Sequence, residues 1–195
     1  MISTDPTLYF IALLPPEAIQ EEVTGYKQHF AENYQTRQAL KSPPHVTLQP
    51  PFEWEVEKQG LLEEFLGGFA EVRAPVPMVL SGFGSFPPRV VYINVKKTPE
   101  LLLFQSELAT DLNSSLGIYD PKSKGRSFSP HMTIAFKDLR RHHFNMGWAE
   151  FKDRELYYEC SSSHLTLLVF QDRRWHICGE FPLKAQVAEP LGEAN

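Results

Sequence analysis

Apolar residues in this chain fall alternately into short unbroken runs and into stripes of helical spacing. Residues 7–14 (TLYFIALL) are apolar, aromatic-rich and stopped by Pro15-Pro16, the mark of a buried strand. The prolines open a stretch to about Tyr34 in which Ala18, Ile19, Val23, Tyr26 and Phe30 recur at helical spacing, and a helix tolerates proline in its first turn. A KSPP loop and a short strand, His45 to Gln49, follow. Residues 55–70 read as a second helix with Leu61, Leu62, Phe65, Leu66 and Phe69 as its apolar face, weakened near its end by Gly67-Gly68. Residues 76–84 read as a strand.

The order then recurs. Residues 89–95 form a strand, and Thr98 or Pro99 starts a helix that ends at Gly117. The loop DPKSKGRSFSP leads to a strand from His131 to Phe136, and a weaker helix spans 138–152. Residues 155–160, 164–170 and 174–181 read as three short strands, and the tail after Lys184 is expected to fray. Strand, helix, strand beginning P-H-x-T, helix, strand is thus an internal repeat, with its two P-H-x-T strands 86 residues apart. No Gly-, Ser- or charge-rich linker separates the halves. They are expected to pack as two intertwined lobes of one domain, 1–195, related by a pseudo-twofold axis.

Composition narrows the function. A chain of 195 residues, 42% hydrophobic, buries enough surface to fold without disulfides. The net charge of −5 argues against coating long nucleic acid, which needs phosphate neutralisation, but leaves room for a small anion in a local pocket. Leu8–Leu14 is too short to cross a bilayer, and the first residues, Met-Ile-Ser-Thr-Asp, lack the basic start of a secretory leader. Cys160 and Cys178 lie in apolar strand-like stretches, which suits a reducing compartment. The protein is expected to be cytoplasmic, without a membrane partner, and monomeric.

The chemistry concentrates at Pro44-His45-Val46-Thr47-Leu48 and Pro130-His131-Met132-Thr133-Ile134. Seven histidines and nine threonines in 195 residues predict about 0.3 H-x-T triplets by chance, and three are present. Side chains alternate across a strand, so His45 and Thr47 share one face and Val46 and Leu48 the other. His131 and Thr133 likewise oppose Met132 and Ile134. Each strand therefore offers an apolar face to a core and a polar face to a cleft. Two such pairs facing each other suit phosphoryl transfer, which needs a base at the attacking oxygen and an acid at the leaving one. A histidine can serve as either near neutral pH. A threonine hydroxyl about 7 Å along the strand could donate to a non-bridging phosphate oxygen.

At these residues the sequence resembles the two-histidine (2H) phosphoesterases, which include bacterial 2′-5′ RNA ligases and RNA 2′,3′-cyclic phosphodiesterases. The resemblance runs from residue 7 to about 183. It implies an α+β fold: a bilobal pseudo-twofold repeat of α/β units, with mainly antiparallel sheets lining a central cleft and helices outside. It implies a catalytic pair, His45 and His131, and a substrate-binding pair, Thr47 and Thr133. It also implies no metal and no cofactor. The expected substrate is the cyclic phosphate end of an RNA or a small nucleotide, hydrolysed to a 2′-phosphate or joined in reverse into a 2′-5′ bond. Two alternatives stay open: a non-catalytic nucleotide- or RNA-binding module, and a phosphodiesterase for another cyclic phosphate, such as an ADP-ribose cyclic phosphate.

Other features receive plainer expectations. The third triplet, His164-Leu165-Thr166, lacks the proline and falls outside the repeat, so it reads as core or edge strand. His142-His143 reads as a solvated helix face, and Cys160 as a small buried hydrophobe. No H-E-x-x-H or C-x-x-C pattern supports zinc. Lys122, Lys124 and Arg126 form either a solvated loop or an electrostatic lip before the second motif. Phe52 and Trp54 could stack on a base but fit a core better.

Overall fold

The structure, a computed structural model, describes residues 6–122 and 126–184. Its elements are β1 (Thr7–Leu13), α1 (Glu17–Tyr34), β2 (Val46–Trp54), α2 (Gln59–Glu71), β3 (Val76–Phe86), β4 (Val90–Val95), α3 (Pro99–Leu116), β5 (His131–Ala135), α4 (Arg141–Phe151), β6 (Tyr157–Ser162), β7 (His164–Gln171) and β8 (Arg174–Pro182). The expected frays after Lys184, and Lys124 in the basic loop, lie outside the described residues. Among the described residues no helix is long and apolar enough to cross a membrane.

Local chemistry sets several boundaries. The Thr98 hydroxyl accepts from the Leu101 backbone N–H at 3.3 Å, capping α3 where Pro99 begins it. Gly117 closes the same helix at φ 69°, a conformation that costs other residues more. β2 runs past the expected Gln49, through Pro50-Pro51, to Trp54. It can do so because it is an edge strand, where a missing N–H leaves no neighbour unpaired. The second helix begins at Gln59 rather than 55, after a 3-10 turn at Val56–Lys58. Its buried face is Leu62, Leu66, Phe69 and Ala70, whereas Leu61, expected inside, is 50% exposed.

The strands form two four-stranded sheets, ordered β2-β1-β7-β8 and β5-β4-β3-β6, and every pairing is antiparallel. The expected α+β class, with antiparallel sheets and packed helices, is what forms. The sequence repeat and the spatial lobes have different borders, however. The second sheet is built from the continuous stretch 76–162, and the first from the two ends around it. β3 closes the first repeat in sequence but lies in the second sheet. Helices are exchanged as well: α1 packs on β5 and α4, while α3 packs on β2 and β3. The Gln105 side chain of α3 donates to the Leu48 carbonyl of β2.

One apolar core fills the space between the sheets' inner faces and these helices. It includes Ile11, Leu13, Val46 and Leu48 from the first sheet and Ile93, Met132 and Ile134 from the second, all buried. Phe30, Phe83 and Phe151 pack edge-on or tilted at its α1–α4 end. Burying this much apolar surface fixes which face of each strand turns inward. On the opposite face of the first sheet Phe10, Ala12, Leu14 and Leu168 form a smaller buried cluster with Trp175 packed against it.

Candidate active site

β2 and β5 are each the outermost strand of their sheet, and they touch one another. The two P-H-x-T segments thus meet at the seam. Alternation holds in both: Val46, Leu48, Met132 and Ile134 are buried, while His45, Thr47, His131 and Thr133 are half-buried. A cavity of about 190 Å³ is lined by His45, Thr47 and Thr133, with Phe10, Phe136 and Trp175 among its walls. His131 stands outside this lining, close enough that its charge acts on His45.

The two imidazoles are held alike. His45 Nδ1 lies 2.7 Å from the Pro43 carbonyl, and His131 Nδ1 lies 2.8 Å from the Ser129 carbonyl. A carbonyl oxygen only accepts, so Nδ1 carries the proton in each ring and donates it. Nε2 is thereby left as the nitrogen free to exchange protons with a ligand. The prolines at 44 and 130 hold the preceding chain extended, which brings each carbonyl back over its ring.

The surroundings differ. The His45 ring packs against Phe10, centroid to centroid 4.8 Å, and Phe10 meets Trp175 edge-on at 4.6 Å. Burial pushes the pKa of His45 down to about 4; the Pro43 hydrogen bond opposes this, and the positive charges of Lys27 and His131 add to it. His131 instead stands in a corner formed by Phe86, at 5.3 Å, and Tyr92, at 5.2 Å. Tyr92 can lie there because its partner across the strands is Gly84, where a Cβ would come within 2.5 Å of the ring.

The other candidates are placed as follows. β7, bearing His164 and Thr166, is an interior strand of the first sheet. Ala12 pairs with both Thr47 and Thr166, so the third triplet lies in the same row as the first, two strands away, at about 10 Å. It faces a different cavity, with Glu180 and Gln20, and the His164 ring meets the Ser163 hydroxyl at 2.9 Å. His142 is exposed at the start of α4. Among the described residues no group of three His, Cys, Asp or Glu could hold a metal ion. Lys122 and Arg126 are exposed ahead of the second motif. Cys160 and Cys178 are half-buried free thiols, and burial raises both, Cys178 to about 11.

Phe52 and Trp54 are on the core side: Phe52 packs by Tyr9, and the Trp54 indole donates to the Lys58 carbonyl. The aromatic walls of the cavity are Phe10, Phe136 and Trp175, none of which the sequence singles out. Trp175 reaches the site through the β7–β8 turn at Asp172-Arg173, both at positive φ. A register set by such a turn is not visible in hydrophobic alternation alone.

Comparison with known proteins identifies the family and the fold. The family profile of the 2′-5′ RNA ligase superfamily matches residues 15–174. A phosphoesterase by name from Bacillus cytotoxicus is 30% identical over 177 residues, 89% of this chain and 95% of its own. A similarly named Bacillus mycoides protein is 30% identical over 178 residues, with the same shares. Among solved structures, Escherichia coli LigT complexed with 3′-AMP superposes with a TM-score of 0.65 at 18% identity, covering 93% of this chain and 100% of its own. TT0787 of Thermus thermophilus superposes at 0.64 and 16% identity, covering 92% and 100%. The structures establish a shared fold, and the sequence matches establish descent: this chain belongs to the 2′-5′ RNA ligase superfamily of two-histidine phosphoesterases.

Proposed function

We propose that the protein is a metal-independent phosphodiesterase that opens 2′,3′-cyclic phosphates at RNA ends or on small nucleotides. The observation that carries this reading is the matched clamping of His45 and His131 by backbone carbonyls, which turns Nδ1 of each ring to the backbone and leaves Nε2 for a ligand, with Thr47 and Thr133 lining the cavity beside His45. Water attacks phosphorus while one imidazole takes its proton. The bond from phosphorus to O3′ breaks, and the other imidazole supplies the proton that O3′ acquires. The product is a 2′-phosphate with a free 3′-hydroxyl. Thr47 and Thr133 donate to the non-bridging oxygens, where charge builds.

The unequal settings divide the roles. A base must start neutral, and the depressed pKa of His45 keeps it so throughout the neutral range. His45 is therefore the base for ring opening, and the departing O3′ falls to His131. With a ribose 5′-hydroxyl replacing water as nucleophile and O3′ still the leaving group, the same pair would form a 2′-5′ bond. The aromatic wall of Phe10 and Trp175 suits a nucleobase or ribose face. LigT, of the same fold, has been crystallised with 3′-AMP, ATP and NADP+, which fits a nucleotide-sized ligand here.

A turnover panel in excess chelator tests this reading. It comprises 2′,3′-cyclic nucleotides, ADP-ribose cyclic phosphate and 2′-5′ dinucleotides. Cyclic nucleotides should open to 2′-phosphates. Turnover of the ADP-ribose compound alone would move the substrate class. Inactivity throughout, or activity only with an added metal, would overturn the mechanism.

A further inference from the structure

α1 buries Ile19, Val23, Lys27, Phe30, Ala31 and Tyr34, a helical stripe in which one core position is a lysine. The matching stripe of α3 is Leu101, Phe104, Leu108 and Leu112. Lys27 is only 2% exposed, and its amine donates to the Ser42 carbonyl at 3.0 Å. Among the described residues no carboxylate offsets its burial, which pushes its pKa down to about 7. Packing alone would favour an apolar side chain here, because an unpaired buried ammonium is destabilising.

Ser42 explains what the lysine gains. It lines the cavity with His45 and Thr47. The segment Ser42-Pro43-Pro44 lacks backbone N–H groups at both prolines, so its carbonyls are the groups left to anchor it. The Pro43 carbonyl accepts from His45, and the Ser42 carbonyl accepts from Lys27. The ring and its tether are therefore held from a neighbouring helix. The charged groups that act on the ring are Lys27 from α1 and His131 from β5, and both oppose its protonation.

We propose that Lys27 is a positioning residue for His45: its buried amine anchors the Ser42 carbonyl and, through the donor-poor Ser42-Pro43-Pro44 tether, fixes where the imidazole stands. This rests on the two-histidine reading of the site. The test compares Lys27→Met and Lys27→Arg with the wild type. Three quantities are measured: kcat and KM on a 2′,3′-cyclic nucleotide, thermal stability, and the titration of the His45 ring by NMR in the free protein.

Lys27→Met should fold with unchanged or higher Tm, since it removes a buried charge. Its kcat should fall roughly ten-fold, short of the 10²-fold that a 1 Å misplacement can cost, with KM little changed. His45 should titrate at higher pH than in the wild type. Lys27→Arg should recover part of kcat. Loss of kcat in proportion to lost stability would make the residue merely structural and overturn the proposal, as would an unmoved His45 titration or an unchanged kcat. A wild type that turns over no cyclic phosphate would sink the functional reading instead, and the NMR comparison would still decide whether Lys27 governs His45.

Discussion

The two motif segments share a sequence pattern and a clamp, yet they sit in unlike surroundings. His45 is wedged against Phe10, with a buried lysine behind its tether. His131 stands in an aromatic corner of Phe86 and Tyr92. The shared part, a proline and a carbonyl two residues back, fixes which nitrogen faces the ligand. The unshared part, burial against Phe10 with Lys27 nearby, pushes the pKa of His45 down. On the proposed reading, a pseudo-symmetric pair carries out an asymmetric reaction, with the repeat supplying geometry and the local packing supplying direction.

Removing either ring should produce the largest effect. His45→Ala and His131→Ala should each lower turnover by about 10²–10⁴, and the double variant should lose far less than the product. The comparison becomes sharp with an aryl phosphodiester, whose leaving oxygen needs no proton. On that substrate His131→Ala should recover and His45→Ala should not; the opposite result would exchange the roles. The acidic limb of kcat/KM against pH should lie near 4, where His45 gains its proton and can no longer act as base. Stability should follow the same sign. The folded pKa lies below the unfolded value of about 6.5, so stability is fully present above that pH and declines as pH falls toward 4. Urea titrations at pH 7 and pH 5 would measure this.

Thr47→Ala and Thr133→Ala should cost less, roughly 10–10²-fold in kcat, because each removes one donor to the developing charge. Steady-state kinetics with the proton relay intact would separate them from the histidine variants by an unchanged pH limb.

A smaller effect isolates the second corner. Gly84→Ala would drive a Cβ into Tyr92 and displace the wall behind His131. Turnover should fall by less than about ten-fold, with the His45 titration unmoved in NMR. A shift at His45 would mean that the corners are not independent. Smallest of all, His164→Ala should turn over close to wild type, since its ring faces another cavity. A loss equal to that of His131→Ala in a folded protein would show that the wrong strands were paired.

Much of this was legible from residue order. Apolar runs and stripes locate the strands and helices to within a few residues, and alternation tells the cleft face of β2 and β5 from the core face. The faces of β8 were not legible, because the turn at Asp172-Arg173 sets them, and Trp175 was missed for that reason. Leu61 misled because it lies one step off the stripe that α2 buries. Lys27 was invisible because a lysine in a helix is ordinarily solvated, and only the packing of α1 reveals that this one is enclosed. The lobe borders were not legible either, since sequence repetition says nothing about which sheet a strand joins.

A lobe of this protein is not a cassette. Residues 76–162 build a whole sheet from one continuous stretch and would invite exchange with the matching stretch of a relative. That stretch carries α3, whose packing partners include β2 in the part left behind. It also leaves α1 facing a foreign β5 and α4. Every such recombination cuts across two helix seats at once, so chimeras between distant relatives should fail at the seam where the two motif strands meet, even when each parent sheet is intact.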